Sequence, residues 1–145
     1  MMATSIQVVF DCADPDRLAR FWAATLGYKL QDPPEGFESW QGWLRAQHVP
    51  EEHWNSASAI VDPDGQGARI FFQRVPEPKT VKNRVHLDVN VGGPAGTPME
   101  ERRTRVNREV ERVIALGATK LREAEERGDY WVVMTDPEGN EFCLQ

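Results

Sequence analysis

The side chains best suited to chemistry in this sequence are an imidazole at His86 and a thiol at Cys143. The residues Arg84–Val91 are typical of a β-strand, and alternation along it puts His86, Asp88 and Asn90 on one face. A histidine there can serve as a base or bind a metal, or it can be a hydrogen-bonded core residue. Cys143 can act as a ligand or nucleophile, although a buried cysteine more often serves as a small apolar residue. Asp88 either borders the same cavity or faces solvent.

Other candidate groups have simpler interpretations. His48 and His53 lie in a polar loop, where a metal site is not expected. The acidic segments 62–65 and 136–139 have the Pro and Gly of a turn and lack the alternating oxygen ligands and distal Glu of a calcium loop. Gly65-Gln66-Gly67 lacks the Lys-Ser/Thr pair of a phosphate-binding loop.

Composition restricts the functional classes further. The 145 residues have a formal net charge of −6, which argues against a nucleic-acid-binding surface. No apolar run is long enough for a membrane span, so we expect no membrane partner. The start of the sequence shows no export signal, and with only two cysteines we expect reduced thiols and a cytoplasmic location.

One pattern of elements occurs twice. In the first half, a strand at Ser5–Cys12 precedes a helix that begins at Asp14-Pro15 and ends near Gly27. In the second, the strand Arg84–Val91 precedes a helix predicted to begin with a capping box at Thr97–Glu100 and to end near Gly117. Each half ends in a hairpin containing Asp-Pro-Asp/Glu-Gly, and we predict Trp40–Ala46 as a further strand. The repeated order indicates an internal duplication.

Aligning the two halves matches side chains that could share a site. The opening strands align Gln7 with His86, and the final strands align Phe71 with Cys143. Gln73 lies on the same face as Phe71. Trp40, Trp43 and Trp131 lie on predicted strands, where they either line an apolar pocket or pack under the helices.

This duplicated unit resembles the vicinal oxygen chelate superfamily, which includes glyoxalase I, extradiol dioxygenases and the bleomycin and fosfomycin resistance proteins. The most specific pieces are Asp14–Gly27, which ends in Leu-Gly, and Asp136–Asn140 before the last strand. Residues 72–79 and 84–89 resemble a glyoxalase-like subgroup of actinobacterial type. The resemblance covers Ser5–Gln145 and implies an α+β fold. One domain, residues 1–145, would contain two βαβββ modules, residues 5–75 and 83–145, whose mixed sheets form curved half-barrels around a cavity.

The resemblance also implies where a metal would bind. Metal-using members place ligands on the first and last strands of the modules, positions that correspond to Gln7, to Gln73 or Phe71, to His86 and to Cys143. Glutamine occurs at the first position in some glyoxalase I proteins, but the last position normally carries Glu. Because these candidates include no carboxylate, and a thiol with an imidazole favours zinc over Mg²⁺ or Mn²⁺, we expect no catalytic ion of the hard type.

Two functional hypotheses follow. In the first, the protein binds a small, partly apolar molecule in a cavity between strands, with no cofactor and with His86 as the candidate catalytic residue. In the alternative, it is a metal-dependent lyase or dioxygenase of glyoxalase I or extradiol type that uses Zn, Fe, Mn or Ni. Related proteins usually pair, so we expect a homodimer. The residues predicted to bind the ligand are Gln7, Trp43, Phe71, Gln73, His86, Trp131 and Cys143.

Overall fold

The computed structural model describes residues 2–145, which form two compact units, the first ending at Pro78 and the second running from Lys79 to Gln145. The first unit has four strands and two α-helices. In chain order these are β1 (Val8–Cys12), α1 (Pro15–Leu26), β2 (Lys29–Leu30), α2 (Trp40–Ala46), β3 (Ala57–Val61) and β4 (Ile70–Arg74). Its sheet has the order β1-β4-β3-β2, with β1 parallel to β4 and the other pairs antiparallel.

The second unit repeats this arrangement. Its elements are β5 (Leu87–Val89), α3 (Met99–Leu116), β6 (Thr119–Glu126), β7 (Asp129–Thr135) and β8 (Glu141–Leu144). The sheet order is β5-β8-β7-β6, again with the first strand parallel to the last. The predicted α+β fold with two mixed sheets is confirmed. Among residues 2–145, no helix has the length and apolar character needed to cross a membrane.

The first helix is delimited by the predicted cap residues. The Asp14 side chain accepts a hydrogen bond from the Arg17 backbone N–H, and Pro15 occupies the first turn. Gly27 ends the helix in the left-handed region at φ 73°. These local signals set the helix bounds close to those predicted from the sequence.

The capping box predicted for the second long helix is wrong. Helix α3 begins at Met99, with Pro98 at the N-cap position and no side-chain cap. The Thr97 hydroxyl instead donates to the Pro94 carbonyl oxygen at 2.7 Å, within a turn whose backbone is closed by the same two residues. The hydroxyl therefore stabilises the turn that leads into the helix.

The strand predicted at Trp40–Ala46 is also wrong, because this segment is helix α2. The Ser39 hydroxyl accepts from the Gly42 backbone N–H and caps the helix. Trp40 and Trp43 are three residues apart, which places them on one helical face, and their rings meet edge to face with centroids 5.7 Å apart. The spacing of the tryptophans thus matched a helical period.

Each long helix covers one face of its own sheet. Helix α1 packs on β3 and β4, and helix α3 packs on β7 and contacts β8. Side chains alternate along the strands, so the residues between the core positions project from the opposite face. That opposite face of each sheet carries the predicted functional side chains except Trp43, which lies on α2. The core residues are Leu18, Trp22, Ile60, Ile70 and Phe72 in the first unit and Val106, Val110, Val113, Val132, Met134, Phe142 and Leu144 in the second.

Candidate functional site

The pairing of β5 with β8 assembles the central group of the second unit. Asp88 lies directly opposite Cys143, and His86 precedes Asp88 by two residues on the same face. The His86 Nε2 and Asp88 Oδ1 atoms are 3.2 Å apart. One ligand atom from each of His86, Asp88 and Cys143 lies within 4.8 Å of the others. The structure therefore places Asp88 beside the other two side chains, and its carboxylate also remains exposed to solvent.

Hydrogen bonds at Glu141 tie the segment before His86 to the start of β8. The Asn83 backbone N–H donates to Glu141 Oε2 at 3.0 Å, and the Asn83 side chain donates to the Glu141 carbonyl oxygen. Lys79 Nζ lies 3.2 Å from the same carboxylate. Partial burial raises the pKa of Glu141, but hydrogen bonds from the Asn83 backbone and from Lys79 outweigh it and hold the pKa below its usual value. The ionised carboxylate thus anchors the entry to β5.

The Cys143 thiol lies in an environment that disfavours ionisation. Burial is the main cause, and the adjacent Asp88 carboxylate adds to it through its negative charge and its hydrogen bond with the thiol. Together they raise the pKa of Cys143 to about 11, although Arg122 and Lys82 oppose the shift. The thiol is consequently protonated at neutral pH and is a poor nucleophile.

A groove of about 520 Å³ opens beside this group. Trp131 shares the face of Cys143, because Val133 pairs with Cys143 and Trp131 lies two residues before it. At one end of the groove, the Gln145 side chain donates to Asn90 Oδ1 at 2.8 Å. The lining combines an indole and a thiol with the polar groups of His86, Asp88, Asn90, Arg102 and Gln145. This is the composition expected of a small-molecule site.

Three of the predicted ligand-binding residues, His86, Trp131 and Cys143, therefore line one groove. The predicted set missed Asp88, Asn90 and Arg102. Alternation along the predicted strand had placed Asp88 and Asn90 beside His86, so that signal was available. Arg102 reaches the groove because Gly92 has no side chain, since a Cβ there would lie 2.8 Å from Arg102 Cγ.

The other predicted residues belong to the first unit. Gln7, Phe71 and Gln73 lie on or beside the paired strands β1 and β4, on the face opposite α1. Gln7 Oε1 accepts from Arg69 Nη1 at 2.8 Å, and Gln73 Nε2 donates to Asp11 Oδ1 at 2.7 Å. Trp43 lies on α2, where its ring packs on Trp40.

The register of the two sheets shows how the halves differ. Val9 pairs with Phe71 in the first unit, at the position where Asp88 pairs with Cys143 in the second. An isopropyl group and a phenyl ring therefore occupy the places of the carboxylate and the thiol. At these two positions the first unit has no donor for a cation.

These donor sets do not fit the hard divalent ion that the resemblance implies. The Gln7 carbonyl oxygen already accepts from a guanidinium group, whose positive charge opposes a cation beside it. In the second unit Asp88 offers a single carboxylate, and Cys143 supplies a protonated thiol where a hard ion prefers a further charged oxygen. The carboxylate, imidazole and thiol of the second unit fit zinc better, because zinc accepts all three ligand types.

Comparison with known proteins identifies a matching family model and similar solved folds. The family model described as a glyoxalase-like domain matches residues 7–145. A search of curated proteins found no match.

Among solved structures, a glyoxalase/bleomycin resistance protein/dioxygenase family enzyme from Burkholderia phytofirmans is 17% identical with a TM-score of 0.61, over 95% of this chain and 94% of that one. A mutant of the fosfomycin resistance protein FosX from Listeria monocytogenes, complexed with Mn(II) and 1S,2S-dihydroxypropylphosphonic acid, is 12% identical with a TM-score of 0.63, over 100% and 90% of the chains. A glyoxalase-related enzyme from Fulvimarina pelagi is 16% identical with a TM-score of 0.60, over 99% and 87%. At these identities the likeness establishes the fold alone.

Proposed function

Because this chain belongs to the family of glyoxalase-like domains, we propose that it binds a small, partly aromatic molecule in the groove beside His86, without a hard divalent ion. The observation that carries the proposal is the lining of this groove. Trp131 offers a flat apolar surface, and several hydrogen-bonding side chains face the same space. The groove is large enough for a molecule of about one ring with polar substituents.

His86 is the proposed catalytic residue within this site. His86 Nε2 lies 3.2 Å from Asp88 Oδ1, so the carboxylate can orient the imidazole while Nδ1 exchanges a proton with a ligand. The same carboxylate stabilises the imidazolium that forms when the proton is taken. This pair supports proton transfer to or from a bound ligand without a metal. The Cys143 thiol, protonated at neutral pH, contributes surface rather than a nucleophile.

The alternative function is a metal-dependent lyase or dioxygenase. The observation that favours it is the cluster of His86, Asp88 and Cys143, three ligand types that zinc accepts. The FosX mutant of similar fold was solved with Mn(II). A bound ion would act as a Lewis acid toward ligand oxygens. The metal content of protein purified without a histidine tag distinguishes the two functions.

Replacing Trp131 by Leu is expected to weaken ligand binding about tenfold, because loss of the indole removes stacking on an aromatic ligand worth about 1 kcal/mol or more. The ligands to test are monocyclic aromatic acids, amides and phenols, ranked by ligand-observed NMR. Trp54→Leu is the matched control, since Trp54 lies in the segment between α2 and β3 and its indole N–H donates to the Val49 carbonyl oxygen. Equal affinity of Trp131→Leu and the parent for every hit would contradict the proposed site.

We also propose that the protein is a homodimer. Each sheet has edge strands that no other strand of that sheet covers, β1 and β2 in one and β5 and β6 in the other. Pairing between chains is one way to cover such edges. Light scattering at micromolar concentration is expected to give about twice the chain mass of 16.5 kDa, and a value equal to one chain would contradict the dimer.

A further inference from the structure

Arg69 is held in a fixed position on the face of the first sheet opposite α1. It immediately precedes β4 and lies two residues before Phe71, so its side chain shares the face of Phe71. Its Nη1 donates to Gln7 Oε1 and its Nε to Gln31 Oε1, each at 2.8 Å. The guanidinium carbon lies 5.5 Å from the centre of the Phe71 ring. Two amides and one ring thus orient a single cation.

The charge of this guanidinium is not balanced by an acid. Both hydrogen-bond partners are neutral amides, and within residues 2–145 no carboxylate forms an ion pair with Arg69. Other arginines, such as Arg20 and Arg105, pair with an Asp or Glu on their own helix. Asp11, an acid on the same face as Gln7, accepts from Gln73 instead.

Arg69 also has N–H donors that neither Gln7 nor Gln31 uses. A guanidinium group has five N–H donors, and Gln7 and Gln31 use two of them, which leaves three. A planar carboxylate can accept two parallel hydrogen bonds from such a group. Because the side chain is already held, binding would cost little further loss of rotamer freedom.

Apolar surface lies next to the cation. Val9 pairs with Phe71 across β1 and β4 and is 48% exposed. A ligand with an anionic head and an apolar body could therefore place its head on Arg69 and its body along Val9 and Phe71.

We propose that Arg69 is the anion-binding residue of a site for small organic carboxylates with an apolar body. The site consists of the Arg69 cation, the amides of Gln7 and Gln31 that orient it, and the adjacent surface of Val9 and Phe71. It stands on contacts within the first unit, so it does not depend on the groove beside His86.

Titration of the full chain with benzoate tests this proposal, with benzamide as the neutral analogue of the same shape. Binding is followed by protein-observed NMR, including the side-chain Nε–Hε signal of Arg69. We expect benzoate to shift that signal and to bind at least about tenfold more tightly than benzamide, because only the carboxylate forms charge-assisted hydrogen bonds. The net charge of −6 opposes general anion binding, so affinity for benzoate reports a local site.

Two substitutions of Arg69 distinguish loss of its positive charge from a general effect on folding. Arg69→Met is expected to weaken benzoate binding at least about tenfold, and Arg69→Lys to retain an intermediate affinity, because lysine keeps the charge but loses the planar fork. Arg45→Met is the matched control, since the Arg45 guanidinium also lies over an aromatic ring, the indole of Trp54, at 5.3 Å from its centre. The Lys variant keeps the test decisive if the Met variant does not fold. Absence of benzoate binding to the parent, or equal binding by the parent and both Arg69 variants, would overturn the proposal.

Discussion

Replacing Cys143 by Glu is expected to tighten Mn²⁺ binding on the order of 100-fold, about 2.7 kcal/mol. The change puts a carboxylate on β8 opposite Asp88 and beside His86, where the parent has a protonated thiol. Hard cations prefer charged oxygen ligands, so two carboxylates and an imidazole suit Mn²⁺ better than the parent set. Isothermal titration calorimetry or the electron paramagnetic resonance signal of free Mn²⁺ measures the change.

The pH dependence of this gain has a defined sign. Two neighbouring carboxylates repel each other in the absence of an ion, which raises the pKa of the pair. Metal binding requires both to be ionised, so the affinity of the Glu variant is expected to increase as the pH rises from about 4 to 7. Cys143→Gln is the matched control, because it has the shape of Glu without the charge and should gain no Mn²⁺ affinity.

The metal content of the parent protein completes this test. We expect tag-free protein to contain no stoichiometric Fe, Mn or Ni. One zinc ion per chain would instead support the metal-dependent alternative, and His86→Ala and Cys143→Ser should then each release it. A folded Cys143→Glu variant with no gain in Mn²⁺ affinity would contradict the inferred arrangement of ligand positions.

The elements of the fold were predictable where their signals are local. Asp14 and Gly27 delimit α1 through contacts within a few residues, so the sequence itself contains the information. Both Pro-Gly turns likewise form as predicted, each closed by its aspartate. The duplication then followed from the repeated order of these signals.

Two predictions, the strand at Trp40–Ala46 and the capping box at Thr97–Glu100, were wrong because the same local pattern is compatible with two structures. Trp40 and Trp43 are compatible with a short apolar strand, but Ser39 and a spacing of three residues favour a helix. At Thr97, the hydroxyl had two acceptable uses, a cap or a turn, and the turn prevails because the Pro94 carbonyl oxygen is in reach.

Site residues were harder to predict, because a site depends on which strands are neighbours. Alternation placed Asp88 on the face of His86, but only the pairing of β5 with β8 brings it to Cys143. Arg69 illustrates the same difficulty, since its partner Gln31 lies 38 residues away in the chain. Distances of this kind are set by strand register and not by local sequence.

Replacing Asp136 by Ala is expected to lower the free energy of unfolding by about 3 kcal/mol, because hydrogen bonds to a buried charged group are lost together. Asp136 is 3% exposed. Its Oδ1 accepts from the backbone N–H groups of Glu138 and Asn140, and both of its oxygens accept from the Asn140 side chain. Urea denaturation monitored by tryptophan fluorescence measures the change.

Asp62 in the first hairpin provides the matched control for Asp136. Its carboxylate accepts from the backbone N–H groups of Asp64, Gln66 and Gly67, but its surroundings are more exposed to solvent. Asp62→Ala is therefore expected to destabilise the protein less than Asp136→Ala. Hydrogen bonds from Asp64 and Gly67 lower the pKa of Asp62, so its stabilising effect is present above the unfolded pKa and is lost as the pH falls through the folded pKa. Equal destabilisation by Asp62→Ala and Asp136→Ala would contradict the view that the burial of Asp136 makes its hydrogen bonds worth more.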